Sequence, residues 1–148
     1  MTKYILVKTA VADDNISMKI IDSSYDKANI SETMYRLVYK FMQTNLFEDI
    51  KIDKTSAIAT VDPEDYENEY INIMWNIISV SDDSPVIGLI LDCCFMDSMP
   101  IVYGIYDSIE DGISSMKKDK NLSIISEEKD SAFFVRNCER NYLKFFEI

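Results

Sequence analysis

Histidine is absent from the 148 residues. With it go the commonest general base, the Ser-His and Cys-His nucleophile pairs and imidazole ligation of metals. Glycine is scarce: Gly88, Gly104 and Gly112 are the three present and each stands alone, so there is neither a dinucleotide fingerprint nor a phosphate-cradling loop. Cysteine also occurs three times. Cys93 and Cys94 are adjacent and poorly placed to bridge each other, which leaves Cys138 over and argues against a disulfide framework. Three thiols close a structural zinc site only with a carboxylate or a second chain as the fourth ligand, so Cys93 and Cys94 read as small buried hydrophobes beside a strand.

Long apolar runs are missing too. The stretch from Tyr70 to Ser81, free of Asp, Glu, Lys and Arg, falls well short of the roughly 20 residues that span a bilayer. The N-terminal run is broken by Lys8 and reaches Asp13-Asp14 without a cleavage-site pattern, unlike a signal peptide. The expectation is an intracellular, cytoplasmic chain with reduced thiols, in which the sequons at Asn15, Asn29 and Asn121 carry no weight. Isoleucine occurs 21 times against six alanines, and lysine outnumbers arginine twelve to three. That bias is what an AT-rich coding sequence gives, as in phages, large DNA viruses and low-GC bacteria; a viral product would sit in the host cytoplasm or the virion.

What is present suits a folded domain. Apolar residues make up 47% and charged residues 28%, close to globular averages, and a chain of this length buries roughly 70% of its unfolded surface without staples. Lys3 to Val11 and Ile16 to Asp22 flank the turn-forming Asp13-Asp14-Asn15 and read as a hairpin. Ile30, Met34, Leu37, Val38, Phe41 and Met42 recur at helical spacing, with Asn29 and Glu32 resembling a capping box, so a helix is expected over Ile30 to Thr44. A strand is expected near Ala57 to Val61. Asp62-Pro63-Glu64-Asp65 then has the chemistry of a helix start, and Tyr66, Tyr70, Ile73, Met74, Ile77 and Ile78 mark the buried face of a second helix.

Val86 to Leu91 is apolar throughout, as a strand buried on both faces or a buried helical segment would be. Ile101 to Tyr106 reads as a strand and Ser108 to Lys118 as a short helix, weakened by Gly112 by about 1 kcal/mol relative to alanine. Leu122 to Ile125, Ala132 to Val135 and Tyr142 to Ile148 read as closing strands, the last two forming either a hairpin around Asn137 to Asn141 or one C-terminal helix. Asp22-Ser23-Ser24-Tyr25-Asp26 followed by Ile30 faintly echoes Asp107-Ser108-Ile109-Glu110-Asp111 followed by Ile113, and helix caps of acids and serines account for the echo equally well.

These elements predict a single α+β domain over residues 1–148, a mixed or mainly antiparallel sheet of five to seven strands with about three helices packed on it. Chemistry-bearing motifs mostly fail. Ser114 and Ser115 each precede a lysine by three but lack the companion motifs of serine-lysine enzymes, and no acidic stretch has the ligand spacing of a calcium loop.

Charge placement remains. Between Lys54 and Lys117 there is no lysine or arginine, yet twelve acids occur, while residues 1–54 hold eight bases and eight acids and residues 117–148 hold seven and six. The net charge of −11 is therefore 0, −12 and +1. Such a field disfavours direct contact with nucleic acid or anionic membranes and favours a basic protein partner. Tyrosines interleave with the acids, as at interfaces, although a helix start and a few loops that happen to be acidic would look the same.

The reading is a non-enzymatic interaction or assembly subunit without metal or cofactor, docking through Asp62, Glu64, Asp65, Tyr66, Glu67, Glu69, Asp82 and Asp83; self-association is left open. One alternative is a nucleic-acid mimic that inhibits a nucleic-acid-binding enzyme, which needs acids spaced like phosphates. Another is a small carboxylate enzyme with a divalent ion, which needs acids converging in a pocket.

Overall fold

A computed structural model describes residues 1–12, 16–61, 72–81, 83–93 and 98–148. The chain divides into two compact units, Met1–Ser81 and Asp82–Ile148. The first runs β1 (Lys3–Val11), β2 (Ile16–Ser24), α1 (Lys27–Thr44), β3 (Asp49–Ile52), β4 (Ser56–Thr60) and β5 (Asn72–Val80). Its sheet has the order β2-β1-β5-β4-β3, antiparallel at every pairing. The second runs β6 (Val86–Asp92), β7 (Ile101–Tyr106), α2 (Ile109–Lys118), β8 (Ser123–Glu127), β9 (Ser131–Arg136) and β10 (Glu139–Glu147). Its sheet, ordered β7-β6-β10-β9-β8, is also antiparallel throughout.

The two units therefore repeat one topology: a hairpin, a helix, then three strands, the last inserted beside the first. The likeness extends to detail. In each first hairpin a β-bulge interrupts the register, after Leu6 in the first unit and after Gly88 in the second. In each helix a fully buried methionine, Met34 or Met116, lies eight residues beyond the N-cap, Asp26 or Ser108. The echo in the sequence thus has a structural counterpart, with Asp26 rather than Ser23 standing where Ser108 stands.

Each helix forms for local reasons and is held by its sheet. The Asp26 carboxylate accepts the Ala28 N–H at 2.9 Å and Ser108 Oγ accepts that of Asp111 at 3.0 Å, satisfying amides that a helix start leaves open. Asp26 thus replaces the expected Asn29 as the cap, and α1 begins three residues earlier. Ile30, Met34, Val38 and Phe41 bury the inner stripe of α1 against Leu6, Ala57, Ile73 and Trp75, each large side chain contributing about 1.5–3 kcal/mol. Phe41 meets Trp75 edge to face, with centroids 5.4 Å apart. In the second unit Met116 and the sheet residues Val86, Ile90, Phe134, Leu143 and Phe145 form the corresponding core.

Several expectations are corrected. There are two five-stranded sheets rather than one of five to seven strands, and two helices rather than about three among the described residues. Ile73, Met74, Ile77 and Ile78 belong to strand β5, not to a helix. The cause is burial on both faces: Ile73 and Trp75 face α1 while Met74 and Asn76 are equally buried, so the period of two vanishes and Asn72 and Asn76 mimic the polar side of a helix. The helix start at Asp62 to Asp65 and the face positions Tyr66 and Tyr70 lie outside the described residues. Strand β3 was hidden in a polar connection. The C-terminal ambiguity resolves as a hairpin closed by Asn137 and Cys138, whose φ angles of 53° and 63° suit the tight turns that match strand twist. No helix among the described residues is long and apolar enough to cross a membrane.

Candidate functional site

Of the eight residues expected to bind a partner, Asp62, Glu64, Asp65, Tyr66, Glu67, Glu69 and Asp82 lie outside the described residues, and Asp83 is exposed just before β6. Four more of the twelve central acids are described. Asp107 is exposed, and Glu110 and Asp111 are exposed in the first turn of α2, where carboxylates complement the helix dipole. Asp92, at the end of β6, is half-buried.

Asp92 is the described central acid that meets another carboxyl. Strand register sets Asp92 opposite Asn141 and Arg136 opposite Glu139, which brings all four to one end of the second sheet. They line a cavity of about 220 Å³ with Ile90 and Ile101. A hydrogen bond to Asp92, reinforced by the repulsion between the two carboxyls, raises the Glu139 pKa. Asn141 donates to the Glu139 carbonyl at 3.1 Å, which ties the side chain to the turn. Among the described residues no group of three or more metal-ligating side chains assembles, here or elsewhere.

A second polar hollow lies along α2, where Tyr103 donates to Asp119 at 2.7 Å. Burial and that hydrogen bond push the Tyr103 hydroxyl up, and the same bond with the Asn121 amide holds Asp119 down. Ser114, Ser115 and Lys118 border the hollow, and Lys117 instead reaches Glu127 at 3.9 Å, so the serine-lysine spacing is an exposed helix face. Of the tyrosines interleaved with the acids, Tyr103 and Tyr106 pack against the core of the second unit, while Tyr66 and Tyr70 lie outside the described residues. Cys93 is half-buried rather than buried, Cys94 lies outside the described residues, and Cys138 is a free thiol exposed in the hairpin turn.

With this geometry in hand, the chain was compared with known proteins. Neither family models, curated proteins nor solved structures gave a match. The residues themselves therefore carry any functional reading. Sequence reasoning missed the Asp92–Glu139 contact because strand register alone creates it, across most of the second unit, and no local spacing signals it.

Proposed function

We propose that this protein is a non-enzymatic interaction subunit that docks on a basic protein through the acidic segment between Lys54 and Lys117. The observation that carries the reading is a surplus of exposed acidic charge that no ion pair among the described residues compensates. Asp83, Asp107, Glu110 and Asp111 are exposed, and the ion pair found among the described residues joins two other side chains, Lys117 and Glu127. Helix-dipole compensation explains Glu110 and Asp111 but not Asp83 or Asp107. A surface that leaves its carboxylates unpaired steers a cationic partner and repels phosphate backbones.

The test is association rate against ionic strength, with a partner recovered by affinity capture, for the wild type and a Glu67→Lys/Glu69→Lys variant. Wild-type association should slow as the screening length falls from about 10 Å to about 3 Å, and the variant should associate far more slowly while keeping its fold. A salt-independent rate, or an unaffected variant, removes the acidic segment from the interface.

A further inference from the structure

Two differences between the repeated units coincide at one place in the first. The shared bulge equates Leu6 with Gly88 and hence Lys8 with Ile90, which stand opposite Trp75 and Leu143 respectively. Ile90 belongs to the core of the second unit, so the helix-facing layer carries an ammonium in one unit where it carries a butyl group in the other. The second difference is length. Helix α1 has 18 residues and α2 has ten, so, counted from the caps, everything in α1 beyond Arg36 is an extension. Leu37, Lys40, Phe41 and Thr44 from that extension form one wall of a cavity of about 220 Å³, with Trp75 and Lys8 on the sheet side.

Among the described residues the cavity has no counter-charge where one is most needed. Lys8 is half-buried, its register partner on β2 is Lys19, and Lys40 borders the same space. Three cations thus converge in a chain of net charge −11, yet no carboxylate among the described residues lies within ion-pair distance of Lys8. What it has is the Trp75 ring, 5.7 Å from its ammonium, a contact worth about 0.5–1 kcal/mol at a partly exposed site. Burial, then Lys19, lowers the Lys8 pKa, the signature of a charge held without a partner. The rest of the lining is apolar at Ile21, Leu37, Phe41 and Trp75 and polar but uncharged at Thr44 and Asn45.

We propose that this cavity binds a small organic carboxylate, its anionic end on Lys8 and Lys40 and its apolar body against Trp75 and Phe41. The space is below the roughly 300–1,000 Å³ of pockets for drug-sized ligands, which sets the ligand at the size of a short fatty or arylacetic acid. An inorganic anion would satisfy the lysines and leave the apolar wall unused. This site does not rest on the docking reading: Lys8 and α1 lie outside the acidic segment, and Trp75, which belongs to that segment, is buried against α1.

Trp75 is the sole tryptophan, so its emission reports on this cavity alone. The intact chain is titrated with phenylacetate, with neutral phenylacetamide and with inorganic phosphate, and ligand-observed saturation-transfer NMR supplies a readout that does not depend on the indole. Phenylacetate should give a saturable change, with phenylacetamide and phosphate weaker by about tenfold or more, the worth of one charge-assisted contact. Lys8→Met, which restores the residue class of Ile90, should weaken phenylacetate by about tenfold or more with an unchanged far-UV spectrum. Should that variant fail to fold, Lys40→Gln decides, with a severalfold loss expected. An unsaturable titration, equal binding of the amide or of phosphate, or unchanged phenylacetate binding in the folded variant overturns the proposal.

Discussion

Replacing Gly112 by alanine sets two known effects against each other at one atom. In an exposed helix the change stabilises by about 1 kcal/mol, through backbone entropy. Here the new Cβ would lie 2.6 Å from Phe145 Cε1 and 2.7 Å from Cδ1, well inside van der Waals contact. The ring has little room to retreat. Phe145 is 1% exposed, its edge meets Tyr106 at a centroid distance of 5.7 Å, and its Cε1 already occupies the space a side chain at Gly88 would need, 2.9 Å from that ideal Cβ. Overpacking of this kind costs about 1–3 kcal/mol, so the net expectation is a loss of about 1 kcal/mol, or roughly 2–4 °C in Tm for a chain of this size. Urea denaturation of a double-mutant cycle gives the decisive number. In a Phe145→Val background, which lacks both the Cδ1 and the Cε1 atom of the clash, the same alanine should stabilise by about 1 kcal/mol, a reversal of sign. A Gly112→Ala protein more stable than the wild type refutes the close approach of α2 to β10.

Three further outcomes follow from other sites. Thr9 Oγ1 and the Asn76 amide are buried without a hydrogen-bond partner among the described residues, so Thr9→Val should raise stability in urea by about 1–2 kcal/mol; a loss would mean that the hydroxyl has a partner. The raised Glu139 pKa contributes stability that is complete below the ordinary value of 4.5 and lost as pH climbs through the higher folded value. The wild type should therefore lose stability relative to Glu139→Gln as pH rises from 4.5 through the higher folded value, and a constant difference would separate Glu139 from Asp92. The single-domain expectation is carried forward as a calorimetric proposal: one transition, with calorimetric and van't Hoff enthalpies equal and a midpoint unmoved by dithiothreitol, against which two resolved transitions would count.

How much was legible in the sequence depended on how many faces of an element are buried. Helix α1 has one buried stripe, and Ile30, Met34, Val38 and Phe41 announced it. Strand β6 was legible only as a buried element, because Val86 to Leu91 is apolar without interruption and fits a strand buried on both faces or a buried helical segment. Strand β5 is buried on both faces as well, but it carries Asn72 and Asn76 inside, and their spacing of four turned a strand into an apparent helix. The division into two sheets was not legible at all, because it resides in which strands pair. The repeat left only a faint trace, since a shared bulge and a shared cap-to-methionine spacing tolerate almost any residue around them. The charge imbalance was fully legible as composition, whereas the two places where charges meet, Asp92 with Glu139 and Lys8 with Lys19 and Lys40, depend on register and on the length of α1.

The repeat supplies its own control for deciding which charges the fold requires. Where the first unit has Lys8 and, two residues on, Ala10, the second has Ile90 and Asp92, so each layer accepts an apolar residue at the position where the other holds an ion. Lys8 is then expected to cost stability rather than supply it. Its pKa is lowered by burial and by Lys19, and a lysine whose folded value lies below its ordinary value of 10.5 is penalised while charged. The penalty is complete below the folded value and disappears as pH rises towards the unfolded one. Because half of the side chain remains in solvent, screening keeps the gain from Lys8→Ile below about 1 kcal/mol. Paired urea curves for the wild type and Lys8→Ile should show the variant the more stable near neutral pH, and the gap should close as pH approaches about 10.5. A variant less stable at neutral pH would make Lys8 a structural residue, and the equivalence with Ile90 would then have no energetic meaning.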